Sequence, residues 1–481
     1  MAQARRLAVA CVALALAGCS SSSPKPPTGG PTLRLAIAAQ PRTLDAARVA
    51  DLPSLNVAHE LYAGLTRFSG RGVVPDLAES WEPTEGGLIW TFHLRKGLRW
   101  SDGKPITAED FRRSWLRALD PKTGSAYARA EMLNIEGARR FHAAGSGDVG
   151  VEAPDDRTLR VTLRHPVPWL DQQVAYPVFF PRRAHAWSGP FRLASRSKDR
   201  FVLERNLDYW NAANVKPRRI VLTTSTNGAD AILPRGLAAP GFPWIETAQN
   251  PPAGWRKLRT LSVELLWFVT KRPALADASE RLALADALRE HALDTIVPPA
   301  MPGYESLVAT KPAVITGAPS SVSLTLAYTA QEADAQHLAS AIKDDLVTTG
   351  ATVRLLPFRT LRALVRAAGP PVRPDIDLVL LGWSAEFFDA YNILDLFPCS
   401  SALNVAQWCD RGYDRLMRRA VRTLDEDERY AIERQLVDRL VEAMPAVPLH
   451  AQTEYVFLKP GVHGFRWSPI GFYELAGMTR S

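Results

Sequence analysis

From residue 32 onward apolar and polar positions alternate: Leu33, Leu35 and Ile37 fall on every second position of Thr32-Leu33-Arg34-Leu35-Ala36-Ile37. That period of two predicts a strand with one face in a core. A second alternation, Ile89-Trp90-Thr91-Phe92-His93-Leu94, follows the turn signal Gly86-Gly87, and further strands are predicted over 159–163 and 201–204. At Thr107-Ala108-Glu109-Asp110 the pattern changes. A hydroxyl residue followed three positions later by an acid opens a helix as a capping box, and Phe111, Trp115 and Leu119 then recur on one helical face. In the second half, residues 322–328 alternate, and Ala335, Leu338, Ile342 and Leu346 step along a helix ending before Gly350. A strand through Val353 and Leu355, a helix over 361–368 and an apolar strand over 376–383 follow. The order β-α-β-α-β predicts an α/β fold with a largely parallel sheet covered by helices. Sites in such sheets lie beyond the carboxyl ends of the strands, where the loop Ser384-Ala385-Glu386-Phe387-Phe388-Asp389 falls.

The amino terminus departs from these patterns. Arg5 and Arg6 precede an apolar run over residues 7–17. A membrane-spanning helix needs about 20 apolar residues, so this shorter run reads as the core of an export signal. It ends in Leu16-Ala17-Gly18-Cys19, which resembles the lipobox of bacterial lipoproteins. The resemblance implies a signal peptide over 1–18 and a lipid on Cys19 that anchors the chain to a membrane. The serines at 20–23 and the Pro/Gly tract reaching Gly30 cannot bury a core, which predicts a flexible tether over 19–31.

Composition narrows the picture further. Of the four cysteines, Cys11 lies in the signal and Cys19 carries the lipid, which leaves Cys399 and Cys409. An even pair in an exported chain favours a disulfide, and closing so short a loop stabilises a fold by about 2–3 kcal/mol. The formal charge of +8 falls to +6 when Arg5 and Arg6 leave (8 − 2), and what remains is spread along the chain among interleaved acids. Clusters such as Lys216-Pro217-Arg218-Arg219 are short and read as solvated surface with a weak attraction to anionic lipid. Nucleic acid is not an expected partner. A mature chain of about 460 residues predicts two or three domains.

A series of motifs then carries a resemblance through nearly the whole mature chain. It runs from Leu44-Asp45 and Asn56-Val57-Ala58-His59-Glu60-Leu61-Tyr62 to Val74-Pro75-Asp76-Leu77-Ala78-Glu79-Ser80-Trp81 and Trp90-Thr91-Phe92-His93-Leu94. Trp100-Ser101-Asp102-Gly103, Thr107-Ala108-Glu109-Asp110-Phe111, Leu203-Glu204-Arg205-Asn206 and Met444-Pro445-Ala446-Val447-Pro448-Leu449 continue it. In number and order these motifs resemble the bacterial extracellular solute-binding proteins of family 5, the oligopeptide and dipeptide receptors of ABC importers. Most of the tryptophans in them read as core. The resemblance implies a periplasmic-binding-protein-like fold of two lobes, a two-stranded hinge and an extra domain in one lobe. Mapped onto this chain, lobe I takes 32–60, 181–255 and 459–481, the extra domain 61–180, and lobe II 256–458. It further implies a monomeric receptor that encloses a peptide by strand addition and delivers it to permease and ATPase subunits.

Carried over by position, the resemblance assigns ligand contacts to Ala50, Leu52, Tyr127, Gly382, Trp383 and Ser384. Glu386 stands where peptide receptors usually have an aspartate that meets the ligand's ammonium, with Asp389 as the alternative. Three departures bear on the ligand. Leu380 replaces an arginine, Thr360 a tryptophan and Val269 a frequent asparagine.

Other classes find less in the chain. HExxH, GxSxG, Walker and dinucleotide-turn motifs do not occur, so an enzyme is not expected. The nine histidines show no ligand-type spacing, so neither a metal nor another cofactor is expected. The alternatives within the family are a receptor for nickel, haem or another small solute, and a sensor lipoprotein without transport.

Overall fold

A computed structural model of the chain describes residues 29–234, 254–307, 321–331 and 333–481. The expected signal peptide, Cys19 and all but the last residues of the tether lie outside the described residues.

Eleven strands form the largest sheet. Along its path lie Thr352–Phe358, Ser323–Thr329, Leu378–Leu380, Trp255–Phe268, Ala446–Leu458, Ala231–Ile232, Thr32–Ala36, Arg219–Thr223, Arg200–Arg205 and Phe191–Arg196. Thr32–Ala36 is parallel to both of its neighbours, and so is Ser323–Thr329. Each half of the sheet therefore has its own parallel nucleus, and the two halves are the two lobes. The strands Trp255–Phe268 and Ala446–Leu458 join them, running antiparallel from one half to the other. Their register breaks between Arg259 and Val263 and again between Glu264 and Leu265. Such irregularities bend a strand and sharpen its twist, so the sheet changes direction where the lobes meet.

The β-α-β-α-β order of the second half is present, with helices Ala333–Thr348 and Leu361–Ala368 between parallel strands. One element differs from its sequence pattern. Residues 376–383 were expected to make one strand, but the structure divides them into Leu378–Leu380 and Trp383–Ser384. Both pieces pair antiparallel with Trp255–Phe268, and the break falls opposite that strand's irregular stretch. An apolar run carries no record of a bulge in its distant partner.

A separate four-stranded sheet orders Ala78–Thr84, Ile89–Leu94, Thr158–Thr162 and Val151–Asp155. The helix Ala108–Leu119 covers it, starting at a capping box in which Thr107 N donates to Asp110 Oδ2 at 3.0 Å. Phe111, Trp115 and Leu119 are fully buried on its inner face, and Trp90, Phe92 and Trp100 are buried beside them. Trp81 is half-buried. Trp115 Nε1 donates to the Phe179 carbonyl at 2.7 Å, so the indole N–H is satisfied inside the core. Cys399 and Cys409 are joined as a disulfide. Among the described residues no helix is long and apolar enough to cross a membrane.

Candidate ligand-binding site

The site is built around the end of the divided strand. Gly382 lies where the two pieces meet; a Cβ there would come within 2.6 Å of Glu264 Oε2 and 2.9 Å of the Val263 carbonyl, so only glycine fits. Trp383 and Ser384 then pair with Val263 and Ser262 of the joining strand. The Ser384 and Ser262 hydroxyls lie 2.7 Å apart, and Trp383 Nε1 donates to Asn392 Oδ1 at 2.9 Å. These bonds tie the start of the loop to the strand that connects the lobes.

Beyond Ala385 the loop meets the other lobe. Tyr176 donates its hydroxyl hydrogen to the Glu386 carbonyl at 2.7 Å, and Phe388 N donates to Gln172 Oε1 at 2.6 Å. The Phe387 ring stacks on Trp169 with centroids 4.7 Å apart, and Tyr391 approaches the same indole at 4.5 Å. Phe68 reaches Phe388 at 6.2 Å. Together these form an aromatic seam between the lobes, with Glu386 at its polar edge.

The Glu386 carboxyl meets another carboxyl there. Glu131, the last residue of the helix Ala126–Glu131, is hydrogen-bonded to it and also accepts from Gln173 Nε2 at 3.0 Å. Tyr127, four positions before Glu131, stacks on Tyr176 with centroids 5.9 Å apart. Two carboxyl groups can hydrogen-bond to each other only if one keeps its proton. Burial, first of all, raises the pKa of both, and the charge of Glu386 pushes Glu131 up further, so the pair holds a proton between its carboxyls. Both residues are half-buried. Tyr127 and Tyr176 are also pushed up, by burial first and by the nearby carboxylates second.

Asp389 has a different environment. It is 1% exposed and accepts from Arg429 Nε at 2.7 Å, while its other oxygen accepts from Tyr391 N at 3.0 Å. Buried Glu433 beside it is pushed well up, by burial first and by the charge of Asp389 second. Arg429 saturates Asp389 within lobe II.

The structure thus gathers Tyr127, Gly382, Trp383, Ser384 and Glu386 in one region. Ala50 and Leu52 lie elsewhere in the first lobe. Ala50 is exposed beside a shallow depression with Arg42, Thr43 and Arg48, and Leu52 begins the helix Leu52–Leu61 that Asp51 caps. Among the described residues no hydrogen bond joins them to the Glu386 cluster, and no group of three or more His, Cys, Asp or Glu side chains is placed to hold a metal ion.

Residues 72–404 match the model of the bacterial extracellular solute-binding proteins, family 5 Middle. The chain belongs to that family. The Escherichia coli protein YgiS, a probable deoxycholate-binding periplasmic protein, is 29% identical over 88% of this chain and 89% of its own length. The periplasmic murein peptide-binding protein MppA of Escherichia coli is 26% identical over 92% of this chain and 91% of its own length. The unliganded open form of MppA superimposes with a TM-score of 0.80 at 22% identity, covering 93% of this chain and 97% of that one. This likeness shows the two-lobe fold. The chain is an extracytoplasmic solute-binding protein of the kind that serves ABC importers, and these relatives are binding proteins rather than enzymes.

Residue-by-residue reading missed Glu131, Trp169, Gln172, Gln173 and Tyr176. One signal for Glu131 was present: it stands at i+4 from Tyr127 within a helix, the spacing that puts two side chains on one face.

Proposed function

We propose that this lipoprotein captures peptides at the cleft edge lined by Glu386, holding the peptide's ammonium group against that carboxylate, and delivers them to the permease and ATPase of an ABC importer. The observation that carries this reading is the surroundings of Glu386: its carboxyl lies beside that of Glu131, and among the described residues neither forms an ion pair with a resident cation. An incoming ammonium replaces the shared proton, and a charge-assisted bond of this kind is worth about 1.5–3 kcal/mol. The name of MppA, a murein peptide-binding protein, supports a peptide. A lipid on Cys19 would keep the receptor beside its permease.

A second reading, an amphipathic steroid acid, has one observation in its favour besides the name of YgiS. The seam is rich in aromatic rings at Trp169, Phe387 and Tyr391, and Leu380 stands where the family resemblance implies an arginine. The carboxyl pair opposes it, because an anion brought to Glu386 adds like charge. Thermal unfolding separates the two readings. A free tripeptide should raise the midpoint, by the equivalent of about 2.7 kcal/mol at one hundred times its dissociation constant. The same tripeptide with an acetylated amino terminus should have little effect. Stabilisation by deoxycholate and not by tripeptides overturns the peptide reading.

A further inference from the structure

A second cavity, ≈ 430 Å³, lies inside the first lobe, between the helix Leu52–Leu61 and the carboxy-terminal segment. Its floor is acidic. Glu60 and Asp76 line it and are each only 3% exposed. One oxygen of each is engaged: Glu60 Oε1 accepts from Leu475 N at 2.8 Å, and Asp76 Oδ1 accepts from Trp210 Nε1 at 2.7 Å and from the Tyr209 hydroxyl at 3.2 Å. Among the described residues no hydrogen bond reaches the second oxygen of either carboxyl. Exposed Lys216 and Arg466 stand at the rim, half-buried Arg67 and Glu474 line the chamber between, with Glu474 paired to Arg67 at 3.1 Å and to Arg466 at 3.9 Å, and stacked Phe68 and Phe472 provide an apolar wall.

We propose that this chamber binds a small zwitterion of the free α-amino-acid class, its ammonium inward on Glu60 and Asp76 and its carboxylate outward at Lys216 and Arg466. The ordering of charge with depth carries the proposal. Withdrawing a carboxylate from water is costly, and each of these two acids keeps an oxygen for a further donor. Burial pushes Glu60 up to about 8 and raises Asp76 as well, which an ammonium on the floor would reverse. A simple anion meets repulsion at the floor. A simple amine leaves Lys216 unanswered. The volume falls within the range of small-ligand sites, about 300–1,000 Å³. Phe68 borders both the chamber and the aromatic seam, but none of the chamber's charged groups belongs to the Glu386 cluster, so the proposal stands apart from the peptide reading.

Titration calorimetry of the full mature chain with L-leucine tests it, with isovalerate and isoamylamine as probes that each lack one charge. Leucine is expected to bind at one site, at least tenfold more tightly than either control. Glu386→Ala should leave that binding unchanged, whereas Lys216→Ala and Glu60→Gln should each weaken it at least fivefold. Absence of saturable leucine binding overturns the proposal. So does its loss in Glu386→Ala, which places leucine in the cleft, or equal binding of a control. Lys216 is exposed and its substitution spares the core, so unchanged affinity in Lys216→Ala also overturns the proposal, even if Glu60→Gln fails to fold.

Discussion

Glu386 and Asp389 sit three residues apart in one loop, and their surroundings have opposite effects. Asp389 is held by Arg429 and by the Tyr391 amide within a single lobe, so its charge is answered before any ligand arrives. Glu386 crosses to the other lobe and finds a second carboxyl, so its charge is answered only by a borrowed proton. The difference separates a carboxylate already paired with a resident cation from the one we propose receives the ligand's. Burial alone does not distinguish them; the partner does.

Three substitutions sharpen or break that contrast. The largest effect is expected from Asp389→Ala, which leaves the Arg429 guanidinium buried without its carboxylate. Breaking a buried pair on one side costs about 3–5 kcal/mol, seen as a lower midpoint in chemical or thermal unfolding. A change below about 1 kcal/mol would mean that Asp389 is not the structural member of the pair. Next comes Glu386→Ala. Peptide affinity should fall by about ten- to a hundredfold, the equivalent of a charge-assisted hydrogen bond, while stability without ligand changes little. Calorimetry and unfolding on the same preparation check both halves of that statement.

The smallest effect concerns pH. Glu131 and Glu386 both titrate above their ordinary range, with burial the first cause for each. Below the ordinary carboxylate range both folded and unfolded chains are protonated, and the stability from the retained proton is fully present. It is lost as pH rises through the raised values. Ammonium binding has the opposite slope, since it needs the proton to leave, so peptide affinity should climb over the same interval. Glu131→Gln should flatten that climb by up to about tenfold, the equivalent of one pKa unit. An unchanged slope in affinities measured from pH 5 to pH 8 would detach Glu131 from ligand capture.

Much of the fold was legible because periodicity is local. The alternation at Thr32–Ala36 and the capping box before Ala108–Leu119 depend on neighbours within a few residues. The same holds for the helix over 361–368, which the structure places at the same residues. The division of 376–383 was not legible, because it answers an irregularity in a strand more than a hundred residues earlier in the chain. The site was legible in part. Gly382, Trp383, Ser384 and Glu386 follow one another, so finding one of them finds the rest. The choice between Glu386 and Asp389 had to wait for Arg429, which is forty residues away in sequence and 2.7 Å away in space.

By itself, then, the sequence determined the family, the class of fold and the loop that carries Glu386 and Asp389. These are written in short-range patterns of polarity and in motifs whose order survives without coordinates. Tertiary structure decided which carboxylate of that loop is paired with an arginine, that Glu131 stands beside the other, and that Glu60 and Asp76 share a chamber. Partnership between charges depends on distances across the fold, and chain separation carries no measure of those distances.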